Sequence, residues 1–307
     1  MISVINDAID GLASSFSRIH QLPRLETIDL RFNPKYHIKM NSDGNGRLSL
    51  QSSILGALAT SFNVRAPSKL TSLSLHNLRP SFPHPLETLP MQTILTRLQR
   101  LQLTPVYDRR PNSNTYHAWC YLWQKLSLCT IPAVQTQVLT ELALHSNEFV
   151  GSFDGLSLHE LHFPHLAVLS LRNIVFNPVK YDEVFVIRHA ATLVRLELLT
   201  CKVCFGSTSL PSPAPLQYTN LAGDVEKSLR QHWDRIWDRF AAELTALVTL
   251  DVKGCHNDVE SPYVQRRGWR FLIILDVDES RYAADRAALQ RFQMTVTARS
   301  TETRLES

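Results

Sequence analysis

The chain has 307 residues, of which 44% are hydrophobic and 20% are charged, and this composition allows a globular protein with a sizeable core. Its 32 basic and 28 acidic residues leave a formal charge of only +4, which argues against a dedicated nucleic-acid binder and against a polybasic membrane-surface protein. The longest apolar runs, such as 271–275, are far shorter than the roughly 20 residues of a membrane-spanning helix.

The N-terminal segment and the cysteines indicate the cellular compartment in which the protein is expected. Asp7 and Asp10 interrupt the first apolar stretch, and no Lys or Arg precedes it, so it does not have the pattern of a secretory signal peptide. The five cysteines are irregularly spaced and predict no disulfide framework. We therefore expect a cytoplasmic or nuclear protein rather than a secreted one.

One short pattern recurs along the chain: an apolar residue, two of any kind, an apolar residue, one of any kind, and another apolar residue. In chain order its copies are Leu25-Ile28-Leu30, Leu70-Leu73-Leu75, Leu98-Leu101-Leu103, Leu139-Leu142-Leu144, Leu166-Leu169-Leu171, Leu193-Leu196-Leu198 and Leu247-Leu250-Val252. Successive third apolar positions are separated by 45, 28, 41, 27, 27 and 54 residues. Leucine-rich repeats have periods of about 20–29 residues, so the longer gaps indicate insertions or a degenerate unit.

Each copy predicts a short β-strand, because alternate residues of a strand point to opposite faces. In the copy that ends at Leu198, Leu196 and Leu198 would point inward while Arg195 would point outward. Cys201 and Cys255 follow their copies at the position where the consensus of the leucine-rich repeat has Asn or Cys. Stacked parallel strands of this kind would bury one continuous core.

Between the repeats the apolar residues follow a helical period. Helices are predicted over 52–62, 116–128, 181–193 and 224–247, and Pro-rich connections over 79–90 and 211–215. The pattern predicts an α/β leucine-rich-repeat solenoid, a horseshoe with a parallel concave sheet and convex helices. Its parts would be an N-terminal helix or incomplete first repeat (1–24), irregular repeats (25–255), and a C-terminal cap and tail (256–307).

Two segments carry a resemblance to a known family. The stretches 163–203, with "RHAATLVRLEL", and 233–252, "WDRIWDRFAAELTALVTLDV", resemble the leucine-rich regions of filamentous-fungal F-box-like proteins. The resemblance implies a substrate-recognition subunit of a cullin-RING ubiquitin ligase, in which an F-box binds a Skp1-type adaptor and the repeats bind the substrate. No "LPxEI"-like F-box opening precedes the first repeat at Leu25, so binding of a Skp1-type adaptor has no support in the residues present.

Two short motifs contain metal-binding residue types, but each lacks part of a ligand set. Cys201 and Cys204 form a Cys-x-x-Cys motif, whereas a structural zinc site needs two further ligands. His159, His162 and His165 have a helical spacing, but a proline interrupts that helix and no cysteine is near. We expect a buried core cysteine at Cys201 and a solvated loop for the histidines.

The remaining motifs do not predict catalysis. The loop 43–47 (DGNGR) lacks the Lys-Ser/Thr pair of a phosphate-binding loop, and no hydrolase motif is recognisable. We therefore expect no enzyme activity, no cofactor and no metal, with a hydrolase of divergent fold as the third alternative. The pairs Trp119/Trp123 and Trp233/Trp237 are each four residues apart on predicted helices, where packing in the core is the ordinary role.

The outward strand positions predict a binding face for a protein partner. The column that follows the third apolar residue contains cations and histidines without an acid: Arg31, His76, Thr104, His145, Arg172, Leu199 and Lys253. Because neighbouring strands lie about 4.8 Å apart, this column would form a stripe that meets an acidic segment of the partner. The predicted partner-binding residues are Arg31, His76, His145, Arg172, Arg195, Glu197 and Lys253.

The stripe has a plain alternative, since the outward face of any solvated sheet is polar. Asp29, Glu197 and Asp251 in the next column could also neutralise its cations. The favoured function is a protein-interaction module, as the substrate-recognition part of an F-box-type ubiquitin ligase. The alternative is a stand-alone leucine-rich-repeat scaffold or inhibitor without a link to ubiquitin; neither nucleic acid nor a membrane is expected as a partner.

Overall fold

A computed structural model describes residues 10–33, 50–64, 69–80, 85–107, 113–133, 138–151, 155–158, 161–177, 182–205, 232–255, 262–267, 271–274 and 279–306. The chain is an α/β protein with helices and a largely parallel pairing of strands that follows the order of the sequence. It divides into two compact units: unit 1 is Met1–Glu148 with Asp154–Leu156, and unit 2 is Phe149–Phe153 with Ser157–Ser307.

Unit 1 alternates strands with helices. Its strands are β1 (Thr27–Arg31), β2 (Ser72–Leu78), β3 (Arg100–Pro105) and β4 (Glu141–Gly151, whose last three residues belong to unit 2). Its helices are α1 (10–16), α2 (Leu50–Val64), α3 (Leu89–Leu95), α4 (Ser113–Lys125) and α5 (Ile131–Ala133). Short 3-10 helices cover Ile19–Gln21 and Pro85–Glu87, and a π-helical turn covers Leu126–Thr130 between α4 and α5.

The strands of unit 1 are parallel, and their repeat positions coincide. Leu75 of β2 lies opposite Leu103 of β3, and Leu103 lies opposite Leu144 of β4. These three leucines are fully buried, as are Leu58 of α2 and Trp123 of α4. The inward leucines of the strands and the apolar faces of the helices thus share the core, as period-2 and period-3.6 patterns on neighbouring segments predict.

Unit 2 contains two ladders of strands. Its elements are β5 (Val168–Phe176), α6 (Asp182–Ile187), β6 (Arg195–Leu199), β7 (Lys202–Phe205), α7 (Trp233–Glu243), β8 (Thr249–Lys253), β9 (Tyr263–Arg267), β10 (Phe271–Ile274) and α8 (Glu279–Glu306). In the first ladder β5, β6 and β8 are parallel, with Leu171 opposite Leu198 and Leu198 opposite Val252. In the second, β7 pairs in parallel with the end of β5 and with β9, and β9 pairs antiparallel with β10.

A residue with positive φ recurs two positions after the third apolar residue of a repeat. Asn77, Asn173 and Thr200 have φ of 58°, 56° and 53°, and Gly254 has φ of 69°. Asn and Gly tolerate this left-handed conformation, whereas a β-branched residue rarely adopts it. Thr200 separates β6 from β7, so this turn redirects the chain from the first ladder to the second.

The predicted helices are present, with different bounds. The observed α2 contains the predicted segment 52–62, and α4 with the π-helical turn covers 116–128, but α6 and α7 are shorter than predicted. Residues 224–231 of the last predicted helix lie outside the described residues, as does the connection 211–215. Several described elements were not predicted: α3, which overlaps the expected Pro-rich connection 79–90, the short helix α5, the strand β7, the β9–β10 hairpin, and the 28-residue helix α8. Among the described helices, none is long and apolar enough to cross a membrane.

Candidate partner-binding face

Two of the three predicted partner-binding residues of unit 1, Arg31 and His76, meet around a carboxylate. Arg31 lies opposite His76 in the β1–β2 register. The guanidinium of Arg31 is 3.2 Å from Asp29, and Nε2 of His76 is 3.3 Å from the other oxygen of the same carboxylate. The ring of His76 also lies 3.5 Å from the hydroxyl of Thr104 on β3. Asp29 therefore neutralises this part of the column, which is the alternative to a cationic stripe that the sequence left open.

His145 follows Leu144 on β4 and is half-buried. It is less exposed than Arg31, whose side chain is 71% exposed. The residues Arg31 and His76 are thus brought together, while His145 is two strands from His76.

In unit 2 the same column places three side chains side by side, in the middle of β5 and at the ends of β6 and β8. Arg172 lies opposite Leu199, and Leu199 lies opposite Lys253. The ammonium of Lys253 is 2.7 Å from the carboxylate of Asp251, two residues back on β8. In the adjoining columns, Arg195 and Glu197 of β6 form an ion pair of 2.5 Å.

Arg172 differs from the other cations of the column. Its side chain is exposed, and no described residue forms an ion pair or a hydrogen bond with it. The pairs Arg31–Asp29 and Lys253–Asp251 join exposed side chains, and such pairs contribute only about 0–1 kcal/mol each to stability. They do, however, cancel charge locally, so the cationic character of the unit 2 face is concentrated at Arg172.

The cysteines of the Cys-x-x-Cys motif lie in two different environments. Cys201 is fully buried and its thiol donates to the carbonyl oxygen of Leu171 at 3.4 Å. Cys255, also fully buried, donates in the same way to Leu198 at 3.5 Å. Burial and the neighbouring Cys255 thiol raise the pKa of Cys201. Cys204 instead packs with Val175 and Val264, so the motif does not converge on one point.

The histidine motif is also divided. His162 and His165 are exposed, and His159 lies outside the described residues. The ring of His162 stacks on that of His189, with centroids 5.6 Å apart. His189 is buried, and its ring also packs against the rings of Phe163 and Phe185; it was not among the candidate residues of the sequence analysis. No cluster of three or more His, Cys, Asp or Glu side chains that could hold a metal ion occurs in the part of the chain that the structure describes.

Both tryptophan pairs are buried. Trp119 and Trp123 meet edge to face with centroids 6.5 Å apart, whereas Trp233 and Trp237 stack at 4.4 Å. All four rings belong to the core, so the interpretation as packing residues is confirmed. The loop 43–47 lies outside the described residues.

Comparison with protein-family models, with curated proteins and with solved structures finds no match to this chain. The outward strand positions carry exposed polar side chains, ion pairs, and exposed arginines, among them Arg172, whose charge no described residue neutralises.

Proposed function

We propose that the chain is a leucine-rich-repeat solenoid that binds another protein through the outward face of its strands, without catalysis of its own. The register supports the repeat architecture, because equivalent apolar positions pair from strand to strand and a stack of repeats buries them in one core. The thiols of Cys201 and Cys255 add support, since each donates to the third apolar residue of the neighbouring strand in the first ladder.

The observation that carries the binding proposal is the exposed guanidinium of Arg172. A cation that is already paired must give up its partner before it can bind a new carboxylate, and Arg172 has no such pair among the described residues. Arginine binds carboxylates through two parallel hydrogen bonds. The favoured partner is therefore an acidic protein segment that places a carboxylate on Arg172, beside Leu199.

The test uses the intact chain as bait in an extract of its source cells, with mass spectrometry of the retained proteins. We compare the wild type with Arg172→Glu and with the control Arg235→Glu, which changes an exposed arginine on α7, away from the strand face. A specific partner should be retained by the wild type and the control, and its affinity for Arg172→Glu should fall by roughly tenfold or more.

The stripe as a whole is tested by reversing Arg31, Arg172 and Lys253 together. Because Asp29 and Asp251 already neutralise the outer two cations, we expect Arg172→Glu alone to account for most of the loss. Equal affinity of the wild type and the triple variant for the retained partner would contradict binding through this column.

The role in ubiquitin transfer rests on the resemblance of 163–203 and 233–252 to fungal F-box-like proteins. Recovery of a Skp1-type adaptor and a cullin with the chain would support the substrate-recognition part of an F-box-type ligase. Recovery of a specific partner that depends on Arg172, without adaptor or cullin, would support the alternative of a stand-alone scaffold or inhibitor.

A further inference from the structure

Helix α8 binds both ends of helix α7. At the N-terminal end, Oδ1 of Asp285 accepts a hydrogen bond of 2.9 Å from the backbone N–H of Asp234. At the C-terminal end, Arg299 donates to the carbonyl oxygens of Ala241 and Leu244 at 2.8 and 2.7 Å. The two helices are therefore parallel. A carboxylate at the start of α7 and a guanidinium at its end are the charges that favour a helix dipole.

Asp285 is fully buried in this contact, with 0% of its surface exposed. Its Oδ2 accepts a hydrogen bond of 2.5 Å from the hydroxyl of Tyr263 on β9. The hydroxyl oxygen of Tyr263 in turn accepts from the backbone N–H of Trp233 at 3.1 Å. The N-cap residue of α7, His232, makes no capping hydrogen bond with its side chain. The first turn of α7 thus depends on two side chains from later in the chain.

Charged and titratable groups face Asp285 from three elements. Burial raises the pKa of Asp285 to about 6, and the carboxylate of Asp234 on α7 raises it too; the hydrogen bonds from Tyr263 and Asp234 and the charge of Arg281 on α8 lower it. The pKa of Tyr263 on β9 is raised by its burial and by Asp285, so this phenol remains a donor. The ring of His232 meets that of Tyr263 edge to face, with centroids 5.8 Å apart.

We propose that Asp285 makes α8 a proton-controlled latch, which holds α7 in mildly acidic solution and releases it more readily as the solution becomes neutral or alkaline. In the docked state the ionised carboxylate is held out of water, whereas in the released helix it is solvated. The docked state therefore binds a proton more tightly, and a group with a raised folded pKa contributes stability at low pH that is lost as the pH rises.

The size of the effect follows from the two pKa values of Asp285. The contribution is complete below the ordinary value of 3.8 and is lost as the pH rises through about 6. Between pH 5 and pH 8 the equilibrium constant for release should increase roughly tenfold. Most of this change lies between pH 5 and pH 7, because above that range the carboxyl group is ionised in both states.

Release would uncover an aromatic surface. Phe292 of α8 packs against Trp237 and Phe240 of α7, with centroids 6.1 and 6.2 Å away. All three side chains are fully buried. Exposed apolar surfaces of this kind bind partners or drive association, so the protonation of one carboxyl group would control access to this surface.

The experiment is hydrogen–deuterium exchange of the full chain at pH 5, 6, 7 and 8, read on peptides from 279–306 and 233–243 after correction for intrinsic rates. In the wild type we expect the protection of these peptides to fall roughly tenfold across the range. In Asp285→Asn, which keeps an oxygen acceptor but does not titrate, this fall in protection toward higher pH should be absent.

Asp238→Asn is the matched control, because Asp238 bridges the same two helices through Arg291 at 2.8 Å but both side chains are more than half exposed. In this variant the protection of the two helices should depend on pH as it does in the wild type. Tyr263→Phe provides a second test. It removes the hydrogen-bond donor that lowers the pKa of Asp285, so the pH at which the protection of these peptides falls should increase. A pH-independent wild type, or an Asp285→Asn variant with the wild-type profile, would overturn the latch.

Discussion

The backbone N–H of Phe163 donates a hydrogen bond of 2.9 Å to Nε2 of His189. Because Nε2 is the acceptor, the ring proton is on Nδ1, which donates to the carbonyl oxygen of Phe185 at 2.7 Å. Burial lowers the pKa of His189 to about 4, although the bond to Phe185 opposes this shift. His189 is therefore a neutral link that joins the turn following α6 to the segment before β5.

This link predicts a pH dependence of stability. The contribution of His189 to the free energy of unfolding should fall as the pH decreases from 6.5 to about 4, because unfolded His189 takes up a proton in this range and the folded residue does not. The protonation of Asp285 acts in the opposite direction, so the effect of His189 is read from the difference between the wild type and a His189 variant. His189→Gln should abolish this part of the dependence and destabilise the protein at pH 7 by about 1–3 kcal/mol, since the N–H of Phe163 loses its acceptor. Urea unfolding at pH 4.5 and pH 7 measures both effects.

His165 is the control for this prediction, because it is exposed on the same segment as Phe163. His165→Gln should unfold as the wild type does at both pH values. A His189→Gln variant that retains the wild-type difference between the two pH values would show that His189 is not the group responsible.

Gly155 predicts an effect of backbone geometry. Its φ is +90°, and an added Cβ would lie 2.8 Å from the carbonyl oxygen of Cys120 and 2.8 Å from Cβ of Gln124 on α4. We expect Gly155→Ala to destabilise the protein by about 1–3 kcal/mol. Gly56 of α2 has no atom within 4 Å of its added Cβ, so Gly56→Ala should stabilise by about 0.5–1 kcal/mol. Thermal unfolding compares the two variants, and shifts of the same sign would refute the argument.

Leu198 and Leu199 are adjacent on β6 and face opposite ways. Leu198 is fully buried, whereas Leu199 is half-exposed. Leu198→Ala should cost about 2–5 kcal/mol of stability, because it leaves a cavity in the core. Leu199→Ala should cost less than about 1 kcal/mol. Denaturant unfolding of both variants measures the two losses of stability. Similar losses would contradict the placement of Leu198 and Leu199 on opposite faces of β6.

Thr200 predicts a stabilising substitution. Its φ of 53° is unfavourable for a β-branched residue, while Asn77 and Asn173 hold the equivalent position in other repeats. Thr200→Asn should raise the free energy of unfolding by about 0.5–1 kcal/mol, because asparagine tolerates this φ and can still donate to the side-chain oxygen of Asn173, as the Thr200 hydroxyl does. Thr249→Asn on the extended strand β8 is the control and should not stabilise. A less stable Thr200→Asn variant would contradict the prediction.

The strands and their register were predictable because the information is local. A period of two, repeated 27 residues apart at Leu144, Leu171 and Leu198, identifies each strand and its inward face without knowledge of any distant contact. The buried positions follow that alternation in β3 and β6. Helix α3 was not predicted because it overlaps a Pro-rich segment. Pro90 lies in its first turn, where proline is compatible with a helix.

The position of the candidate face was predictable, but the choice between a cationic stripe and a neutralised column was not. Arg31 and Lys253 stand at the expected outward positions, yet each folds back on an acid two residues earlier, Asp29 and Asp251. This pairing depends on the rotamers of the Arg31 and Lys253 side chains, and the sequence alone does not give rotamers. The capping of α7 was not predictable, because Asp285 is 51 residues from its hydrogen-bond donor, Asp234. Patterns of capping residues identify only caps that are close in sequence to the helix end.

The parallel pairing of α7 and α8 also has a consequence for biosynthesis. An 11-residue helix is marginal by itself in water, and α7 leaves the ribosome before the residues that satisfy its two ends. Domains made first generally fold first, so unit 1 can become compact while α7 still lacks its caps. Translation then imposes a sequence of maturation, in which unit 2 is completed only once Arg299 has been synthesised.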